Sequence, residues 1–171
     1  KFHADSIPKR ETSICVALAD KLDLLVAIFS INLAPTGDKD PYGLRRCGLG
    51  VVRILIENNL KIDLNRLLEE TCHNFPSITS DKICDSIYDF ILERLRGYLR
   101  EKEFRVDEIE AVITKRPSSF ETIIPILKSI ASFKELEEAA NLSAANKRIK
   151  NILRKNPFVK TKIKVEYFEH E

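Results

Sequence analysis

With 171 residues, 44% hydrophobic and 32% charged, the chain is long enough to bury a core and too apolar to remain a disordered polyelectrolyte. Its four cysteines lack CxxC spacing and its three histidines stand far apart, which excludes a zinc ribbon and leaves reduced cysteines packed in helices as the expectation. The apolar run from Ile14 to Ile31 is interrupted by Asp20, Lys21 and Asp23, so it does not read as a membrane span.

Apolar spacing is helical along nearly the whole chain, which predicts an all-α helical bundle. The first helix is expected over 12–31, with a small and polar stripe at Asp20, Asp23, Ala27 and Ser30. A dense turn follows, Pro35-Thr36-Gly37-Asp38-Lys39-Asp40-Pro41. Gly37 relaxes the backbone, Asp38 or Asp40 can cap, and Pro41 suits a first helical position. The second helix is therefore expected over 41–58, with Leu44, Cys47, Val51 and Leu55 inward and Arg46, Gly50, Arg53 and Glu57 on another face. Asp63 is a candidate N-cap for a third helix ending before Pro76. A fourth is expected over 80–101, with Ile83, Ile87, Phe90, Ile91 and Leu95 as its core side.

Asp107 followed by Glu110 reads as a capping box that starts a short helix ending near Arg116. Pro117-Ser118-Ser119 is a break and a candidate subdomain edge. Two short helices are expected over 120–131 and 133–140, the first with a kink or a late start at Pro125, and a last helix over 143–155. Residues 160–168 alternate enough for a short strand, or form an extended C-terminal tail.

Charge is uneven. From Lys147 to Lys164 there are eight basic residues and no acidic one. At 100° per residue Lys147, Lys150 and Arg154 share a narrow face, opposite Ala145, Ile149 and Ile152. Such a helix is expected to dock by its apolar side and present cations to a phosphate backbone, or to form a solvated basic face. Tyr167 and Phe168 are possible stacking residues. Lys39, Arg45 and Arg46 form a second cationic cluster at the mouth of the second helix, where backbone N–H groups add positive potential. The alternative there is that Asp38, Asp40 and the arginines pair with one another or brace a subunit contact. The Gly37-Asp38-Lys39 turn lacks the spacing of a phosphate-binding P-loop.

Three motifs in this order, Ala19-Asp20-Lys21-Leu22-Asp23, the Pro35–Pro41 turn and Leu44-Arg45-Arg46, together with the block Ala144-Ala145-Asn146-Lys147-Arg148-Ile149-Lys150-Asn151-Ile152-Leu153, closely resemble the β subunit family of the bacterial two-subunit glycyl-tRNA synthetase. The likeness runs to about Asn156. Ser30, Asn32 and Leu33 stand where glycines are commoner in that family, and the basic tail after Pro157 departs from it too.

The resemblance implies a cytoplasmic α2β2 ligase in which the α subunit carries ATP, magnesium, glycine and the active site while the β subunit recognises tRNA-Gly. It implies a piece of the β subunit, with no catalytic nucleophile or general base, no cofactor of its own and no DNA or membrane partner. Its parts would be the end of an HD-like helical domain (1–33), a helical body (34–116) and a smaller helical subdomain with a basic helix and tail (117–171), ahead of the anticodon-binding domain. The residues expected to touch tRNA are Lys39, Arg45, Arg46, Lys147, Arg148, Lys150 and Arg154. Asp20 resembles the last metal-binding aspartate of HD-type phosphohydrolases, but the chain has no His-Asp pair, so no metal is expected there. The rival readings are an all-helical protein-interaction module and a remnant of an HD-type phosphohydrolase.

Overall fold

The computed structural model describes residues 6–75 and 81–155. Seven helices follow one another in these residues: α1 (Glu11–Ser30), α2 (Leu44–Glu57), α3 (Leu64–His73), α4 (Asp81–Glu101), α5 (Val106–Ile113), α6 (Ile123–Lys134) and α7 (Glu137–Lys155). Among the described residues there is no sheet, only isolated bridges between Thr36 and Lys39 and between Asp63 and Ser119. The all-α expectation holds. The suggested strand over 160–168 lies outside the described residues, as do Tyr167 and Phe168.

The chain divides into two compact units, Lys1–Ile130 and Ala131–Glu171. In the first, α4 is the central element and packs on α1, α2, α3 and α5. The reason is its sequence: Ile87, Ile91, Leu95 and Leu99, with Tyr88, Leu92 and Tyr98, are all buried, so its apolar arc is wide enough to meet helices on several sides. Ile83 and Phe90 pack at its border, half-buried. α1 contributes Ile14, Leu18, Leu22, Leu25 and Val26, and α2 contributes Leu44, Val51, Val52, Ile54 and Leu55.

Helix ends in this unit rely on left-handed residues other than glycine. After α1, Asn32 adopts φ 57°, the Leu33 N–H donates to the Ile28 carbonyl and the Asn32 N–H to the Phe29 carbonyl. That double bond pattern is a Schellman cap. Asparagine tolerates the left-handed region better than most residues, which explains how Asn32 closes α1 without a glycine. Asn59 (φ 55°) closes α2 and Glu103 (φ 66°) closes α4 in the same way.

α2 begins later than Pro41 suggests. Pro41 lies in the turn, Gly43 is the N-cap residue with φ 67°, and the helix starts at Leu44. Asp40 sets that start. Its carboxylate accepts hydrogen bonds from the Leu44 N–H (2.8 Å) and the Arg45 N–H (3.0 Å), so two donors of the first turn are satisfied from four and five residues upstream. Asp63 caps α3 as expected, accepting from the Arg66 N–H at 3.1 Å. The capping box is displaced. Arg105 is the N-cap of α5, and the Glu108 carboxylate accepts the Arg105 N–H (3.4 Å), so Asp107 lies inside the first turn.

The Pro117-Ser118-Ser119 break lies inside the first unit, tied to its neighbours. The Tyr88 hydroxyl donates to the Pro117 carbonyl (2.9 Å), and the Leu64 N–H donates to the Ser118 carbonyl (2.8 Å). Burial pushes the Tyr88 phenol up to about 12. Arg116 stacks its guanidinium over the Tyr88 ring at 4.6 Å and reaches Asp89 at 2.5 Å. α5 is held to α4 by a forked pair, Arg96 to Glu110 at 2.8 and 3.3 Å. Pro125 occupies the first turn of α6, where its missing N–H costs nothing, which is the late start its position suggested.

In the second unit the expected short helix over 133–140 and the last helix over 143–155 are one. α7 runs without interruption through Ala140 and Asn141. Glu137 and Glu138 in its first turn and Arg154 and Lys155 in its last oppose the helix dipole favourably.

Candidate nucleic-acid interface

The cationic cluster at α2 forms, but its parts do different things. Lys39 is exposed, and its backbone N–H closes the Gly37 turn onto the Thr36 carbonyl at 3.0 Å. Arg45 braces that turn: its guanidinium donates to the Gly37 carbonyl. Arg46 is exposed and lies against Gly43, where a Cβ would come within 3.8 Å of its Nη2. The expected help from free helix N–H groups is reduced. Asp40 already occupies the Leu44 and Arg45 donors, so the mouth of α2 carries its own anion.

Packing of α2 on α4 adds what the sequence did not reveal. An open cleft of about 590 Å³ lies between the start of α2 and the second half of α4. Arg45 and Arg46 line it from α2, and Arg94, Gly97 and Arg100 from α4. Arg94 and Arg100 stand more than forty positions further along, too far for any local pattern to connect them with Arg45. A smaller hollow of about 330 Å³ shares Arg46 and Leu49 with this cleft and adds Lys21 and Arg53.

The second cluster lies on one helix but not on one face: Lys147, Lys150 and Arg154 share a side of α7, and Arg148 stands about 100° from Lys147 around the axis. Lys147, Arg148, Lys150 and Arg154 all lie on α7, all exposed, and none forms an ion pair among the described residues. Lys147 and Arg154 are separated by about 10 Å along the axis at a rise of ~1.5 Å per residue. On the opposite side Ile149 is 55% and Ile152 50% exposed, and Ala145 is exposed as well.

Asp20 and Asp23 are exposed on α1, and among the described residues no three His, Cys, Asp or Glu side chains gather as a metal site would require. All four cysteines are free thiols. Cys72 is buried, Cys47 half-buried with its thiol pushed up by burial, and Cys15 is exposed rather than packed. None of the helices, in the described residues, is long and apolar enough to cross a membrane.

Over residues 1–114 the chain matches the family model described as glycyl-tRNA synthetase beta subunit. The chain belongs to this family. Its relatives include the glycine–tRNA ligase beta subunits of Ralstonia nicotianae (45% identical over 156 residues, 91% of this chain and 22% of the relative), Nitrosomonas eutropha (42% over 174 residues, 92% and 24%) and Enterobacter sp. strain 638 (41% over 157 residues, 91% and 23%). The chain thus spans about a quarter of the length of these relatives, and the similarity continues past the family model into α7.

Proposed function

We propose that this chain is a tRNA-recognising part of the β subunit of a cytoplasmic glycine–tRNA ligase. In this reading the ligase is an α2β2 assembly that charges tRNA-Gly with glycine. Activation of glycine, with ATP and magnesium, belongs to the α subunit, and this part of the β subunit holds RNA by its phosphates. Family membership supports the enzyme class. The cationic face of α7 supports the RNA role: three exposed cations share one side of a helix with no acidic residue between Lys147 and Lys155. Among the described residues no three His, Cys, Asp or Glu side chains gather as a metal-dependent hydrolase centre needs, so nothing there supports the phosphohydrolase remnant.

The test is charge reversal in the α–β enzyme. Lys147→Glu, Lys150→Glu and Arg154→Glu together are expected to weaken tRNA-Gly binding for every tRNA sequence. They should also flatten the slope of log affinity against log salt by roughly 2–3 units. Unchanged affinity and slope would make this face a solvated surface and refute its role.

A further inference from the structure

We propose that the cleft between α2 and α4 is a binding site for a backbone phosphate of tRNA, with Arg94 and Arg100 of α4 as its principal ligands alongside Arg45 and Arg46. This rests on the RNA reading above and assigns a second site to it.

The argument starts with Arg94. Its stem is wedged between helices: a Cβ on Gly48 would come within 3.1 Å of the Arg94 Cγ and 3.2 Å of the Phe90 ring. A Cβ at position 48 would press on that passage, so glycine there gives the Arg94 stem its room. The guanidinium is then held 5.1 Å from the centroid of Phe90, which is itself in edge contact with Phe29. Its Nε is buried and has no hydrogen-bond acceptor, and among the described residues Arg94 forms no ion pair. The buried Nε stays without an acceptor, and the guanidinium has no counter-charge among the described residues, which an anion in the cleft would supply at its outer nitrogens.

The carboxylates that line the cleft do not fill this need. Both oxygens of Asp40 are used by α2 backbone donors, and Glu93 pairs with Arg96 at 3.1 Å. Glu101 lines the cleft as well, and Arg94 has no hydrogen bond or ion pair to it. Arg100 is exposed, and its charge acts at longer range on Glu110, which is already paired with Arg96. All the cations lining the cleft are arginines and none is lysine, which favours a ligand with several oxygens that planar forks can hold at once. Its volume, about 590 Å³, suits a phosphate with its sugar rather than the width of a duplex. A partner protein's carboxylate has fewer oxygens to share among four forks, so the phosphate is the better fit.

The experiment compares two pairs of substitutions in the α–β enzyme: Arg94→Gln with Arg100→Gln, and Arg45→Gln with Arg46→Gln. The α4 pair is expected to weaken tRNA-Gly binding about 10- to 100-fold at 0.15 M salt and to flatten the salt slope by about 1–2 units. Arg94→Lys with Arg100→Lys should keep most of the slope and lose part of the affinity, and unchanged thermal melting shows that the fold is intact. Normal affinity and slope in the α4 pair, while the α2 pair or the α7 reversal still weakens tRNA, overturns the cleft and leaves the RNA reading standing. Loss of α–β assembly with normal tRNA affinity overturns it in favour of a partner carboxylate. If the cleft, α2 and α7 variants all bind tRNA normally, the RNA reading fails with it.

Discussion

Two glycines that face each other's helices separate backbone propensity from packing. Gly97 lies inside α4, is exposed, and a Cβ there would meet nothing within 4 Å. Alanine at this position gains the helix propensity that glycine lacks, about 0.8–1.0 kcal/mol, with no packing term to set against it. For a domain of this size that corresponds to a rise in Tm of about 2–5 °C. Gly48, in α2, gains the same propensity on replacement, but its Cβ would crowd Arg94 Cγ at 3.1 Å and Phe90 Cε1 at 3.2 Å. Overpacking of this kind costs about 1–3 kcal/mol, so Gly48→Ala should be neutral to destabilising by up to about 2 kcal/mol. Urea denaturation of the two single variants and the parent chain measures both, with m-values checked for constancy. The expected gap between the variants is at least about 1 kcal/mol. Equal shifts for both, or a loss of stability in Gly97→Ala, would refute the reasoning from open and closed Cβ positions.

Glu103→Gly removes a left-handed L-residue at the end of α4. The gain of about 1–2 kcal/mol from relieving φ 66°, less about 0.5–1 for the more flexible unfolded chain, leaves about 0.5–1 kcal/mol of stabilisation, readable as a higher urea midpoint. Acid should weaken the fold through two depressed carboxyls. Asp63 is held low first by the Arg66 N–H and next by the Ser118 hydroxyl, and Glu110 first by its hydrogen bond from Arg96. A depressed group contributes stability above its unfolded value, near 3.8 for Asp63 and 4.5 for Glu110, and that contribution is lost as pH falls through the folded value. The urea midpoint is therefore expected to drop from pH 5 towards pH 3 more steeply in the parent than in Asp63→Asn/Glu110→Gln. Parallel curves would count against both contacts.

The parts of the fold that the sequence displayed are those fixed by short-range chemistry. α1 and α4 fall within a residue or two of their expected bounds because their apolar arcs are long, and α3 because Asp63 caps it and Pro76 follows. The start of α2 lies three residues beyond Pro41 because Pro41 and Asp40 compete for the same turn. The carboxylate reaching forward to Leu44 and Arg45 outweighed proline's preference for a first turn. The junction at 140–143 was misread as a break, though nothing in Ala140-Asn141-Leu142-Ser143 stops a helix and the structure carries α7 straight through. The α7 cations were legible because one helix brings them together. Arg94 and Arg100 were not, since only the packing of α2 on α4 brings them beside Arg45 and Arg46.

Asp40 has a consequence for ligand competition. A carboxylate tethered a few residues from the donors it occupies acts as an internal competitor, at an effective concentration of at least about millimolar. An anion from solution reaches the Leu44 and Arg45 N–H groups only by displacing it, and displacement loosens the start of the helix. Weak, abundant anions are thereby turned away from these N–H groups, and any anion that does gain from binding here must draw its affinity from side chains rather than from the helix start.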